Sequence, residues 1–353
     1  MVNIDVNIYR IQRPARFLKY GLSLAILSSV WLYPQEIYAA TLREKVLELA
    51  AYEIKVGDPD IYSFDKIMFC VGEVQILQNR NRYEEIRDLT ETEVKIFSQN
   101  GEDGIINYLI NKLKLDSKNF VEIGVGNYRE SNTRFLYNKY HPKGLIIDYI
   151  GDMRKKVKPF MNLWKGDLRI CNKQINSENI LDILNNNCDY EIDIFSIDID
   201  SIDYWIIEKL NRNISKIFVA EYNPVFGPEL EITVPNISRF ERNKYHYSNL
   251  CYGMSLKALI NLMDKKGYYF IGTNLQKINA FFISKEFKKE EFFKNIEIKS
   301  LDNYTNSNIR DSRDKNNDLN YLSGDKKFKE IEECEVINLK ENKRELVQLK
   351  DLV

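Results

Sequence analysis

The strongest constraint on this chain is a change of rhythm near residue 119. From there, short apolar runs alternate with helical patterns. The runs are Phe120–Ile123, Leu145–Ile147, Ile192–Ile197, Ile217–Ala220 and Tyr268–Ile271. Strands separated by helices pair in parallel and bury both faces of the sheet under those helices. Tyr268–Ser284 breaks the pattern, because two apolar runs flank a short polar link. It reads as an antiparallel hairpin closing one sheet edge. Length and composition agree with a full-sized α/β domain. The chain has 353 residues, 44% of them hydrophobic and 29% charged. Lysine and arginine total 51 against 52 acids, a net charge of −1. That balance gives no overall field to draw in nucleic acid.

The flanks differ from this core. Arg10, Arg13, Arg16 and Lys19 precede the apolar run Leu22–Tyr33, which Pro34 and Glu36 end. Twelve residues are too few to span a bilayer. A signal peptide, an interfacial anchor and a helix packed on the main domain compete for residues 1–40. The rest of the chain favours the last two, hence a cytoplasmic protein with peripheral membrane contact through residues 10–33 left open. Residues 41–95 read as a helical extension, with Thr41 as a cap for Leu42–Tyr52. Residues 96–290 hold the α/β domain. Residues 291–353 are a polar extension in which Tyr321–Gly324 and Cys334–Leu339 are apolar enough to dock back. The cysteines (Cys70, Cys171, Cys188, Cys251 and Cys334) are odd in number and form no C-x-x-C, which argues against a disulfide framework and a zinc knuckle. With only two histidines, a His-rich zinc site is disfavoured.

In an open α/β sheet, ligands bind beyond the carboxyl ends of the strands. The first strand ends as Phe120-Val-Glu-Ile-Gly-Val-Gly-Asn-Tyr128. Glu122 is costly within a strand unless partnered. Gly124 and Gly126 allow a sharp turn and close approach to a ligand. Asp148 ends the second strand, where a carboxylate can accept both hydroxyls of a ribose. A nicotinamide dinucleotide wants a third glycine where Arg129 stands. S-adenosylmethionine offers cationic groups that suit an early carboxylate such as Glu122. At the fourth strand, Asp198, Asp200 and Asp203 cluster, and Glu221 and Asn223 are expected beside them at the end of the fifth. Such carboxylates suit a general base or a divalent cation, whereas Asp203 suits a helix cap. His246 is a further candidate base.

These segments resemble the FkbM-like branch of class I S-adenosylmethionine-dependent methyltransferases from Phe97 to about Glu286. The resemblance rests on Ser98-Gln-Asn-Gly-Glu-Asp-Gly, Val121-Glu-Ile-Gly-Val-Gly, Leu145-Ile-Ile-Asp, Ser196-Ile-Asp-Ile-Asp, Val219-Ala-Glu-Tyr-Asn-Pro and Tyr252-Gly-Met-Ser-Leu. It implies a Rossmann-like seven-stranded sheet with an antiparallel last strand. It also implies O-methylation of a saccharide or natural-product acceptor, a small molecule or glycan. Glu122, Gly124, Gly126 and Asp148 then match cofactor positions, and Asp198 the acidic end of the fourth strand. Tyr128 replaces the usual third glycine. Glu102 is expected to reach the cofactor from the Gly101–Gly104 turn. Asp200 is the leading base or cation ligand, with Asp198 and Glu221 beside it; the metal-dependent version is ranked second. A dinucleotide-dependent enzyme and a non-catalytic scaffold are the rival readings.

Overall fold

The computed structural model describes residues 61–161, 163–287, 294–305, 307 and 311–353. The expectations for residues 1–40 and for the helix at 42–52 lie outside them. The chain divides into two compact units, residues 1–78 and 79–353. A 20-residue helix, Ile61–Arg80, opens the described part. No helix of the described residues is long and apolar enough to cross a membrane. Helix does not continue to residue 95: turns follow Arg80, then a single 3-10 turn, Leu89–Thr92. Asp88 caps that turn by accepting from the Thr90 N–H, and Glu91 reaches back to the Asp88 N–H at 2.9 Å.

The larger unit is built on seven strands: β1 (Phe120–Ile123), β2 (Gly144–Asp148), β3 (Leu168–Asn172), β4 (Ile192–Ile197), β5 (Ser215–Glu221), β7 (Tyr268–Thr273) and β8 (Asn279–Ser284). Their order is β3-β2-β1-β4-β5-β8-β7. The first five pair in parallel. β8 inserts antiparallel between β5 and β7, so the hairpin closes the edge as expected. This is the Rossmann-like seven-stranded arrangement with an antiparallel last strand. β3 is absent from the sequence reading because it is an edge strand. Only Cys171 in it is fully buried, so it shows no apolar run.

Alternation along each strand supplies two cores, one per face. Val121, Ile123, Leu145, Ile147, Phe195 and Phe218 pack on one side. Phe120, Ile146, Ile194, Ile217, Val219 and Phe281 pack on the other. Helix signals are explicit where the chain covers the sheet. Ser255 accepts from the Ala258 N–H to start the helix Leu256–Lys266, and Gly267, at φ +93°, stops it in the left-handed conformation.

A second, three-stranded sheet joins β6 (Ile232–Thr233) to β9 (Glu335–Asn338) and β10 (Glu345–Gln348), all antiparallel. The segment Cys334–Leu339 thus docks on the α/β core. The loop at Arg313–Leu319 closes as an isolated antiparallel bridge.

Candidate functional site

The carboxyl ends of β1, β2, β4 and β5 converge. The Gly124 N–H donates to the Ile147 carbonyl and the Asp198 N–H to that of Ile123, so the three strand ends are held in step. Gly124 has φ +86°, and a β-carbon there would lie 1.5 Å from the Asp198 carbonyl oxygen. No other residue fits. Gly126 is left-handed too, at φ +54°, but a β-carbon on it would meet nothing within 4 Å. Its backbone N–H donates to Asp148 Oδ2 at 2.6 Å. Tyr128, where the third glycine is expected, keeps the left-handed backbone at φ +61°. Its buried ring is anchored by the Thr133 hydroxyl at 3.0 Å. The turn therefore survives the substitution.

Two cavities open here. The first, about 410 Å³, is lined by Gly124, Gly126, Asp148, Tyr149, Asp198 and Asp200, among others. The second, about 430 Å³, is lined by Asn100, Asp198, Asp200, Glu221, Arg242 and Arg313, among others. Asp198 and Asp200 belong to both, so they form the wall at which the cavities meet. One carboxylate oxygen from each of Asp198, Asp200 and Glu221 lies within 4.8 Å of the other two. The sequence expectation that these three gather is met in geometry. Arg242 Nη1 pairs with Asp200 Oδ1 at 2.5 Å. The same guanidinium sits 5.7 Å from the centre of the Tyr252 ring, and the Tyr252 hydroxyl donates to Glu221 at 3.5 Å. Arg242 and Tyr252 thereby connect two of the three carboxylates.

Asp203 is not the cap expected for the following helix. It is the first residue of the helix Asp203–Lys209, Ile202 holds the cap position, and the Asp203 carboxylate turns back to the preceding loop. It is buried and accepts the N–H groups of Ile199 and Ser201, fixing the turn that holds Asp200 at φ +54°. Burial first, opposed by those hydrogen bonds, pushes its carboxyl up to about 6. Burial likewise raises the Asp148 carboxyl, against the Gly126 and Tyr149 N–H bonds that lower it.

Three expected site residues stand elsewhere. Glu122 accepts from the Ser131 hydroxyl at 2.6 Å, the Asn132 N–H at 2.8 Å and the Thr133 N–H at 3.0 Å. Its oxygens are committed to the turn after β1, and it lines neither cavity. Burial raises its carboxyl despite these donors. Glu102 is also fully buried and accepts from Asn274 and Asn279 of the β7–β8 hairpin, each at 2.8 Å. It ties that hairpin to the helix Glu102–Lys112 and lines neither cavity. Its motif contributes Gln99 and Asn100 to the second cavity instead. His246 accepts the Ser248 N–H at Nδ1, stacks on Tyr247 at 4.3 Å and lines neither cavity. Asn223 is buried behind the site, where it holds the carbonyls of Leu250 and Tyr252. Asp311, Arg313 and Leu319 line the second cavity from the C-terminal extension. No local signal marks them, since they arrive from beyond the sheet.

The Glu102 knot carries a pH consequence. Glu93 accepts the Leu275 N–H beside it, and burial, then the charges of Glu102 and Asp88, push its carboxyl up to about 7. A carboxyl raised on folding adds stability below its unfolded value near 4.5, and that stability is lost as pH rises through 7. Glu93→Gln keeps an acceptor and removes the charge. It is expected to raise Tm at pH 8 by roughly 2–4 °C, for about 1 kcal/mol, and to leave Tm at pH 4 unchanged. Equal shifts at both pH values in a calorimetric scan would reject the assignment.

No protein-family model and no curated protein matches the chain. Solved structures with related chain paths include an S-adenosylmethionine-dependent methyltransferase from Clostridium acetobutylicum ATCC 824. It is 10% identical, with TM-score 0.34, covering 61% of this chain and 99% of that one. The pyocyanin biosynthetic protein PhzM is 13% identical, with TM-score 0.30, covering 76% and 71%. M. capricolum TrmK, solved with S-adenosyl-homocysteine, is 13% identical, with TM-score 0.27, covering 52% and 73%. At such values these likenesses assign nothing to this chain, and its chemistry rests on its own residues.

Proposed function

We propose that the chain is an S-adenosylmethionine-dependent O-methyltransferase acting on a hydroxyl of a saccharide or natural product. The observation that carries this reading is the pair of cavities meeting at Asp198 and Asp200. One has the features of a nucleoside site: a glycine turn without side chains, and Asp148 at the end of β2. Beside Asp148, Tyr149 is exposed and lines the same cavity. The cradle fits S-adenosylmethionine in kind, since Gly124 and Gly126 line it without side chains and Asp148 can take a ribose diol. It lacks the third glycine of a dinucleotide fingerprint, Arg129 standing in that place.

When bound, S-adenosylmethionine supplies an electrophilic methyl group. The chain supplies the rest. Gly124 and Gly126 admit the cofactor, Asp148 orients it, and Asp198 stands between it and the acceptor. Asp200 takes the hydroxyl proton, aligned by Arg242. Glu221, held by Tyr252, completes the acidic wall. A general base of this kind contributes roughly 10²–10⁴-fold. The three carboxylates also fit Mg²⁺ as hard oxygen ligands. We rank the cation second because Arg242 already answers the charge of Asp200. A panel of hydroxylated acceptors, scored by release of S-adenosylhomocysteine with and without EDTA, tests the reading. Release with some acceptor supports it, and survival in EDTA dismisses the metal. Cofactor binding without release from any acceptor would favour the scaffold.

Asp148 gives the cofactor side its own test. Asp148→Ala removes a charged acceptor worth roughly 1.5–3 kcal/mol, so cofactor affinity should fall by at least tenfold. Unchanged affinity in calorimetry would remove Asp148 from the site.

A further inference from the structure

Two arginines line the second cavity, and their electrostatic situations differ. Arg242 is answered by Asp200. Arg313 is half-buried and donates through Nη1 to the Asn317 carbonyl at 2.8 Å. Among the described residues it forms no ion pair, although Asp311 lines the same cavity. Its position is built rather than incidental. The Arg313 N–H donates to the Ser248 carbonyl, the Arg313–Leu319 bridge closes its loop, and the Leu322 N–H donates to the buried Ser312 hydroxyl at 2.8 Å. Arg313 lines only the second cavity, apart from the wall shared with the cofactor side.

Although Asp198, Asp200, Glu221 and Asp311 line the same cavity, none of them forms an ion pair with Arg313, so its guanidinium is a charge left for a ligand at that end of the cavity. Its planar fork matches the two oxygens of a carboxylate or phosphate. We propose that Arg313, carried by the C-terminal extension, selects hydroxylated acceptors bearing an oxyanion group. This rests on the reading of the second cavity as the acceptor site. It makes the extension part of that site, and Arg313 a specificity-determining residue rather than a participant in proton removal.

The test uses the full chain and three probes of one scaffold: glucose, glucuronate and glucose 6-phosphate. Binding is followed by ligand-observed NMR, and S-adenosylhomocysteine affinity by calorimetry on the same samples. Wild type should bind at least one charged probe tenfold or more tighter than glucose. The tighter of the two tells carboxylate from phosphate. Arg313→Gln should bring that probe to within threefold of glucose while S-adenosylhomocysteine affinity, the check on folding, stays unchanged. Arg313→Lys should fall between, since it keeps the charge and loses the fork. Equal binding of all three probes, no binding of either charged one, or no loss in Arg313→Gln would overturn the proposal. Failure of S-adenosylhomocysteine to bind wild type, with charged-probe selection intact, would remove the methyltransferase reading and leave Arg313 as an anion-selecting residue.

Discussion

Replacing Gly124 with alanine is expected to destabilise the larger unit by about 3–5 kcal/mol, while alanine at Gly126 costs only about 1 kcal/mol. Both glycines have left-handed backbones, so both variants carry the conformational cost. Only at Gly124 does a β-carbon meet a neighbour, the Asp198 carbonyl oxygen at 1.5 Å. Relief requires β1 to move away from β4, breaking the Asp198-to-Ile123 hydrogen bond that aligns the strand ends. Urea denaturation of the two variants separates the effects. Similar midpoints would mean that the close approach at Gly124 does not hold in solution. Because Asp198 sits on that contact, Gly124→Ala should also abolish cofactor binding. Gly126→Ala keeps the N–H that Asp148 accepts and should retain most of it.

The second large effect concerns the chemistry. Asp200→Asn preserves shape and tolerates the left-handed backbone at φ +54° that asparagine also adopts. It removes the negative charge that Arg242 answers and the base we assign. Turnover should fall by at least about tenfold, a barrier rise of about 1.4 kcal/mol, with cofactor affinity little changed. Full turnover in S-adenosylhomocysteine release would move proton removal to Asp198 or Glu221. His246 does not inherit the role, since its ring faces Tyr247 and Ser248 outside both cavities.

Much of this was legible in residue order, and the exceptions have physical causes. β1 and β4 stand where their apolar runs predict, because strands buried on both faces must be apolar throughout. β3 escaped because an edge strand needs apolarity on little of its surface. The gathering of Asp198, Asp200 and Glu221 follows from parallel neighbours ending at one level, which the β4–β5 register supplies. Glu122 shows the limit of that logic. Its position in a strand announces a partner, but the pattern cannot say whether that partner is a ligand or the chain, and Ser131 and Thr133 had already filled the need. Glu102 is the same case, with Asn274 and Asn279 arriving 172 and 177 residues later. Arg313 lies in a stretch rich in Asn, Asp and Lys, where composition suggests a tail. Its place on a cavity wall depends on backbone pairing with Ser248 and on a bridge within its own loop. Neither leaves a periodic trace.

In the reading proposed above, the cavity between Asp148 and Asp198 takes S-adenosylmethionine. Thermal unfolding of the full chain with S-adenosylmethionine, and separately with NAD, tests it most directly. A ligand at 100 times its dissociation constant stabilises a fold by about 2.7 kcal/mol. Tm is expected to rise with S-adenosylmethionine, by less in Asp148→Ala, and to stay unchanged with NAD. A rise with NAD and none with S-adenosylmethionine would contradict it.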